Sequence, residues 1–396
     1  MKRTIKLAVA AAVALTSTAA FATNGDSLIG TGAKARGMGG AGIGMSHGAE
    51  SALTNPALIT SVNGTEISFG GTVFMPKVKT DIGAGSTDSA ADLSVIPEVS
   101  IAQKVSDNFY WGIGMFGTAG MGTDYRGTGQ NMNMVTNLQL MQFAVPLAYK
   151  TGGFSFGVAP VLQYGSLDIK YKTIGFGGAE STTQGVAQDF GYGYNLGAAF
   201  SEEGLTVGAS YKSAIDMVYT GQINAATTQF NGLMGTAVLS DHLEQPAEVG
   251  VGASYKIGGS TVALDFKQIK WGSAKGYKDF GWEDQNVYIL GYQFAQDSWA
   301  LRAGYNYGKN PIKEQNGATA QGAVNNFFNL LGFPAIVEKH YTVGGSYAFN
   351  KTTSADLAYV YVPEATETYS IAAMTGGNIT TKHSQQAATA QLNFKF

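Results

Sequence analysis

"QAATAQLNFKF", residues 386–396, alternates without interruption. Ala388, Ala390, Leu392, Phe394 and Phe396 fall on one side of an extended chain, and Thr389, Gln391, Asn393 and Lys395 on the other. Successive side chains of a strand point to opposite faces, so this segment reads as a strand with one apolar and one polar face. The pattern returns upstream. In "SWALRAGYNYG", Trp299, Leu301, Ala303, Tyr305 and Tyr307 oppose Ser298, Arg302, Gly304 and Asn306. In "DFGYGYNLGAAF", Phe190, Tyr192, Tyr194, Leu196, Ala198 and Phe200 oppose little but glycine, alanine and Asn195. Bulky apolar residues on one side and small or polar ones on the other suit a transmembrane β-barrel, whose outer wall meets lipid and whose lumen must hold contents. A terminal aromatic is what its last strand needs at the membrane interface.

Composition narrows the alternatives. The chain has 54 Gly, 21 Phe and 20 Tyr but only 13% charged residues, and its 44% hydrophobic content excludes a disordered chain. The opening "MKRTIKLAVAAAVALTSTAAFA" carries Lys2, Arg3 and Lys6, an apolar run from Leu7 to Leu15, and an A-x-A pattern at Ala20 and Ala22. This reads as a secretory leader, residues 1–22, cleaved after Ala22. Its apolar run is too short for a spanning helix of roughly 20 residues, and nothing after it approaches that length. With 25 basic against 28 acidic residues, three of the basic ones in the leader, no cationic surplus exists to hold nucleic acid. There is no cysteine, and His47, His242, His340 and His383 lie far apart, so no metal site or cofactor is proposed by spacing. No Ser/His/Asp or paired-acid cluster falls on a common rim, so no enzyme is expected.

The connections between strands are of two kinds. Six are tight, at residues 106–108, 151–153, 202–204, 258–259, 296–297 and 350–352; seven are long, at about 81–93, 119–137, 173–188, 219–243, 271–285, 309–338 and 371–382. The two kinds alternate, as short turns at one end of a barrel and long loops at the other should. Thirteen connections join fourteen strands across residues 65–396, with both termini expected on the periplasmic side of the outer membrane. Pro76, Pro97, Pro146 and Pro160 fall inside these strands. Proline removes a ladder hydrogen bond, so each demands a bulge, a strand end or a local break.

Residues 23–64 do not alternate. They are small, glycine-rich and mildly helical, and suit a plug folded inside a lumen too wide for wall side chains to fill. They include G-x-G-x-x-G at Gly37, Gly39 and Gly42. A dinucleotide loop would follow a buried strand and open a βαβ unit, and neither is present. The same segment, "GTGAKARGMGGAGIGMSHGAESALTNPALIT", resembles the N-terminal hatch of the FadL/TodX family of outer-membrane transporters of hydrophobic compounds, with its signature at Asn55, Pro56 and Ala57. "PAEVGVGASYK", "SWALRAGYNYGKNP" and "YTVGGSYAFNKTTSADLAYVY" resemble later strands of that family.

The resemblance implies a monomeric, passive carrier of long-chain fatty acids or related apolar molecules, with outer-membrane lipid around it. The alternatives are a monoaromatic hydrocarbon channel of the same family and a non-specific porin. It also implies capture by outer loops, an interior pocket, and release past the hatch and a kinked third strand. Two loops have apolar faces that suit capture: Phe230, Leu233 and Met234 in one, and Phe327, Phe328 and Leu331 in the other. Gly112, Gly114 and Gly117 are the candidates for the strand kink. Arg302 and Lys212, on lumen-facing positions, and Arg126 in the second long loop are candidate partners for a ligand carboxylate. The competing reading of the two strand cations is that they pair with lumen acids such as Asp265 or Glu248.

Overall fold

A computed structural model of the chain describes residues 23–172, 180–181 and 185–396. The proposed leader, residues 1–22, lies outside the described residues. Fourteen strands form one antiparallel barrel. They are β1 (Thr65–Asp81), β2 (Ser94–Lys104), β3 (Phe109–Asp124), β4 (Val135–Ala144, resuming at Leu147–Thr151), β5 (Phe154–Lys172), β6 (Ala187–Glu202) and β7 (Leu205–Lys212). The second half comprises β8 (Glu248–Ile257), β9 (Ser260–Ile269), β10 (Gln285–Gln296), β11 (Trp299–Gly308), β12 (Lys339–Ala348), β13 (Thr353–Ser370) and β14 (Asn378–Lys395). Each pairs with the next, and β14 returns to β1 from Lys395–Glu66 to Thr380–Asp81, so the sheet closes on itself.

The alternation of the last strand holds: Thr389, Gln391 and Asn393 are buried inward, while Ala388, Ala390 and Leu392 face out. Outward aromatics form two belts, as interfaces on both sides of a hydrocarbon layer require. Phe69 stacks on Phe394 and Phe294 packs on Trp299 at the turn end; Phe266 meets Tyr288 and Tyr305 meets Tyr341 toward the loop end.

The prolines sit where pairing fails. Pro146 lies in the break within β4, and Pro160 lies across from it, its partner Tyr194 bonding instead to Ser213. Pro76 stands beyond Phe74, the last residue of β1 paired with β2's Ser94. Pro97 precedes Glu98, where pairing between β2 and β3 ends. A fifth, Pro363, lies at a register shift between Val362 and Ala365. Several strand boundaries differ from the sequence reading. β3 continues past Ala119 to Asp124 and β14 begins at Asn378, whereas β7 stops at Lys212, the chain beyond it keeping only isolated bridges at Ile215 and Val218.

Residues 23–60 are largely buried and pack against the inner side of the barrel wall. A small hairpin pairs Thr23–Asn24 with Ser27–Leu28. A short helix α1 (Gly32–Gly37) and two 3-10 turns, Gly48–Ala52 and Pro56–Ser61, follow. The wall meets this hatch with glycine because backbone approaches backbone. A Cβ at Gly304 would lie 2.1 Å from the Gly39 nitrogen, and one at Gly208 would lie 2.0 Å from the Ile43 carbonyl oxygen.

Candidate functional site

The hatch is tied to the wall by buried polar contacts. Asn55 accepts from the Ala57 N–H (3.2 Å), starting the 3-10 turn at Pro56, and donates to the Ile43 carbonyl (2.8 Å). Gly157 and Gly197 leave the room that the Asn-Pro-Ala backbone occupies. The Asp265 carboxylate accepts from the N–H groups of Gly42, Ile43 and Gly44 at 2.7, 2.7 and 3.2 Å. The glycine-rich run therefore does cradle an anion in a backbone nest, but the anion is a side chain of the barrel wall. Lys34 pairs with Glu50 at 2.8 Å, and Arg36 pairs with Glu98 of β2.

Above the hatch, at the loop end, lies a small apolar pocket. Its wall includes Met121 of β3, Ile169 of β5, Ile223 and Ala226 of helix α2 (Ile223–Met234), and the rings of Tyr277, Phe280, Trp282, Phe328 and Phe333. Of the six residues proposed for an open capture groove, only Phe328 lines this pocket. Phe230 packs on Tyr171, Phe327 and Phe328 with ring centroids 5.4–5.9 Å apart, and Phe327, Phe328 and Leu331 are buried. Leu233 is 46% exposed and Met234 is half-buried. The groove is thus corrected to a closed loop core: two apolar loop faces exclude water by meeting each other. The loop at 309–338, with helix α3 (Ala320–Phe327), dips into the barrel mouth, where Thr123 and Thr381 donate to the carbonyls of Leu331 and Leu330.

The sequence reading missed the third wall, the β9–β10 connection "WGSAKGYKDFGWED". Trp271, Tyr277 and Trp282 pack edge to face or tilted there with ring centroids 4.7–5.0 Å apart, and the left-handed glycines Gly276 and Gly281 bracket the turn at Tyr277–Phe280. Four aromatics within twelve residues, Trp271, Tyr277, Phe280 and Trp282, were the available signal. The roof also depends on Asp241, whose carboxylate accepts from the N–H groups of Gly221, Gln222 and Asn224 at the start of α2. It is a tertiary N-cap. Asp241→Ala is expected to cost about 1–2 kcal/mol locally, read as faster amide hydrogen exchange over residues 221–234 with the barrel strands unchanged. Unchanged exchange in α2 would refute the capping role.

The hatch's first residues form an arm between this pocket and the lumen. Trp271 lies over Gly25, and the Asp26 carboxylate accepts from Tyr277 and from Ser27. Burial pushes the Asp26 carboxyl up to about 6 against the pull of those two hydrogen bonds. Below the arm is a narrow cavity between hatch and wall. Leu28, Ile29, Leu53, Ile215 and Ile289 form its apolar side; Thr118, Gln142, Asn195, Lys212, Glu248 and Lys267 form its polar side. Lys212 and Lys267 both reach one oxygen of Glu248, at 3.3 and 3.2 Å.

Of the three proposed carboxylate partners, only Lys212 faces the cavity. Arg302 is buried elsewhere, donating to Gln293 (2.8 Å) and Ser346 (2.6 Å) with Asp356 at 3.7 Å, and Arg126 is exposed and clamped to Asp124. Lys267 was missed, although alternation in "ALDFKQI" places it inward with Asp265.

The cavity reaches β3 at Thr118. There the β3–β4 register shifts between Gly117 and Ala119, leaving Thr118 as the extra residue. Gly112 and Gly114 sit in the regular ladder opposite Ala102 and Ser100, so of the three candidate kink glycines only Gly117 borders the irregularity. From Glu98 and Phe116 outward β2 and β3 part: β2 runs on to Ser94 paired only with β1, and β3 pairs with the arm at Ser27–Ala119. The Ile96 side chain stands in this fork.

The sequence profile of the family described as "Outer membrane protein transport protein (OMPP1/FadL/TodX)" matches residues 8–396. No curated protein sequence matches the chain. Among solved structures, a FadL homologue of Pseudomonas aeruginosa is 15% identical and superposes with a TM-score of 0.70 over 94% of this chain and 100% of its own. The Pseudomonas putida toluene transporter TodX is 19% identical, with a TM-score of 0.67 over 93% and 99%. The Ralstonia pickettii toluene transporter TbuX is 17% identical, with a TM-score of 0.67 over 93% and 98%.

Proposed function

As a member of the OMPP1/FadL/TodX family of outer-membrane transport proteins, this chain is a barrel for passing hydrophobic compounds, and we propose that its own cargo is a long-chain fatty acid or similar anionic amphiphile. The observation that carries this reading is the sequence of three compartments. An uncharged pocket lies under the long loops, a cavity with an apolar side and a lysine pair lies across the arm from it, and that cavity touches β3 at Thr118, beside the fork between β2 and β3. The loop end faces the exterior, and the termini lie on the periplasmic side.

Transfer of each methylene out of water is worth about 0.8 kcal/mol, so an acyl chain enters the roof pocket without an energy source. Two ammonium groups share one carboxylate in the cavity, and their remaining N–H donors suit a ligand carboxylate. Release is sideways, through the fork, into the bilayer.

In Lys212→Met/Lys267→Met/Glu248→Gln, which removes the cations without stranding a buried charge, oleate uptake is expected to fall about tenfold, equivalent to about 1.4 kcal/mol. Methyl oleate uptake should be unchanged. Equal losses for both would show that the lysines do not read the head group. Native mass spectrometry of the purified protein for co-purified lipid tests the cargo directly. The aromatic lining of the roof pocket favours a second reading, a monoaromatic hydrocarbon; toluene uptake exceeding oleate uptake in cells bearing the gene would select it.

A further inference from the structure

The hatch touches the fork on both sides. On the β2 side, Arg36 of α1 pairs with Glu98 and donates to Thr72 of β1 at 2.6 Å, and all three residues are buried. Glu98 is the residue at which β2 loses β3, and the preceding Pro97 has no N–H to extend the ladder. On the β3 side, the Gly120 N–H donates to the Asp26 carbonyl at 3.1 Å, one pair beyond the Thr118 bulge. α1 and the arm are therefore attached to opposite lips of one opening.

A buried ion pair is a poor device for stability, because desolvation offsets much of the attraction. It is a good device for position, since guanidinium presents two prongs in fixed geometry. Here one prong holds β2 and the other β1, while the arm meets the opposite lip through a backbone hydrogen bond. We propose that Arg36 and Glu98 are positioning residues that hold the β2 lip of the β2–β3 fork in place from inside the barrel, through α1. This rests on the sideways-release reading above.

The test uses full-length protein carrying Ile96→Cys and Gly117→Cys, one cysteine on each lip. Into it goes Arg36→Met/Glu98→Leu, which keeps bulk and leaves no lone charge, or Arg36→Lys, which keeps charge but loses the two-pronged grip. The readouts are the rate of disulfide formation under a diffusible oxidant and the initial rate of oleate uptake by reduced cells. Heat-modifiable migration on a gel identifies folded barrels. With the β2 lip unheld, disulfide formation is expected to slow at least tenfold and uptake at least fivefold in the double variant, with Arg36→Lys between. Folded variants whose two rates stay within twofold of the parent overturn the proposal. Should the double variant not fold, the Arg36→Lys rates decide by the same thresholds. If the oxidised parent pair still takes up oleate, sideways release is refuted, while the disulfide rate still reports whether Arg36 positions the lip.

Discussion

Oxidising an Ile96→Cys/Gly117→Cys variant is expected to reduce oleate uptake at least tenfold, and reductant is expected to restore it. The geometry favours the bond: a Cβ on Gly117 would lie 3.7 Å from the Ile96 Cβ, against about 3.8 Å in natural disulfides. The chain has no cysteine, so the introduced pair has no competing partner. The Ile96→Cys change removes the methyl group that a residue-117 Cβ would otherwise meet at 2.5 Å, so the staple relieves its own crowding. It leaves the roof pocket, the lysine pair and the hatch contacts untouched, and bars only the route between β2 and β3. Undiminished uptake by fully oxidised protein would mean that cargo leaves elsewhere, past the hatch toward the turn end.

Gly304→Val is expected to turn a closed barrel into a conducting one. A Cβ at position 304 would lie 2.1 Å from the Gly39 nitrogen and 2.2 Å from the Met38 carbonyl carbon, both backbone atoms that cannot rotate away. Close by, Asn306 donates to the Gly39 carbonyl and the Gly39 N–H donates to Thr342, at 2.9 Å each, and the added bulk would part both contacts. With the hatch unseated, the polar inner wall is open to ions. Current across planar bilayers should rise at least tenfold over the parent, with greater sensitivity of cells to large antibiotics. A silent bilayer with folded Gly304→Val protein would show that the hatch does not seal the lumen. A non-specific porin would behave the other way, with the parent itself conducting steadily.

The architecture was legible because a barrel wall writes itself locally. Thr389, Gln391 and Asn393 alternate with Ala390 and Leu392 within a few residues, and turn residues mark every short connection. The prolines were legible as interruptions for the same reason. The site was less so, because its contacts join distant segments. Nothing near Gly42–Gly44 announces that the anion in their nest is Asp265, more than two hundred residues away. The apolar stripe at Phe230 and the one at Phe327–Leu331 look alike whether they face cargo or each other, and here they face each other. Periodicity places Arg302 and Lys212 inward equally well; which one meets a cavity depends on where the hatch lies. Glycine is so frequent in β3 that only register distinguishes Gly117 from Gly112 and Gly114.

The hatch contacts also impose an order on assembly. The Ala33 N–H binds Gln391 of β14, Gly39 binds Thr342 of β12, and Lys34 lies 3.7 Å from Asp356 of β13. The segment made early in translation thus finds its partners among those made last. Contacts so far apart in sequence form slowly, since long stretches of chain must be ordered first. The lumen's occupant cannot lock before the final strands exist, so closure of β14 on β1 and locking of the hatch belong to one late step of folding.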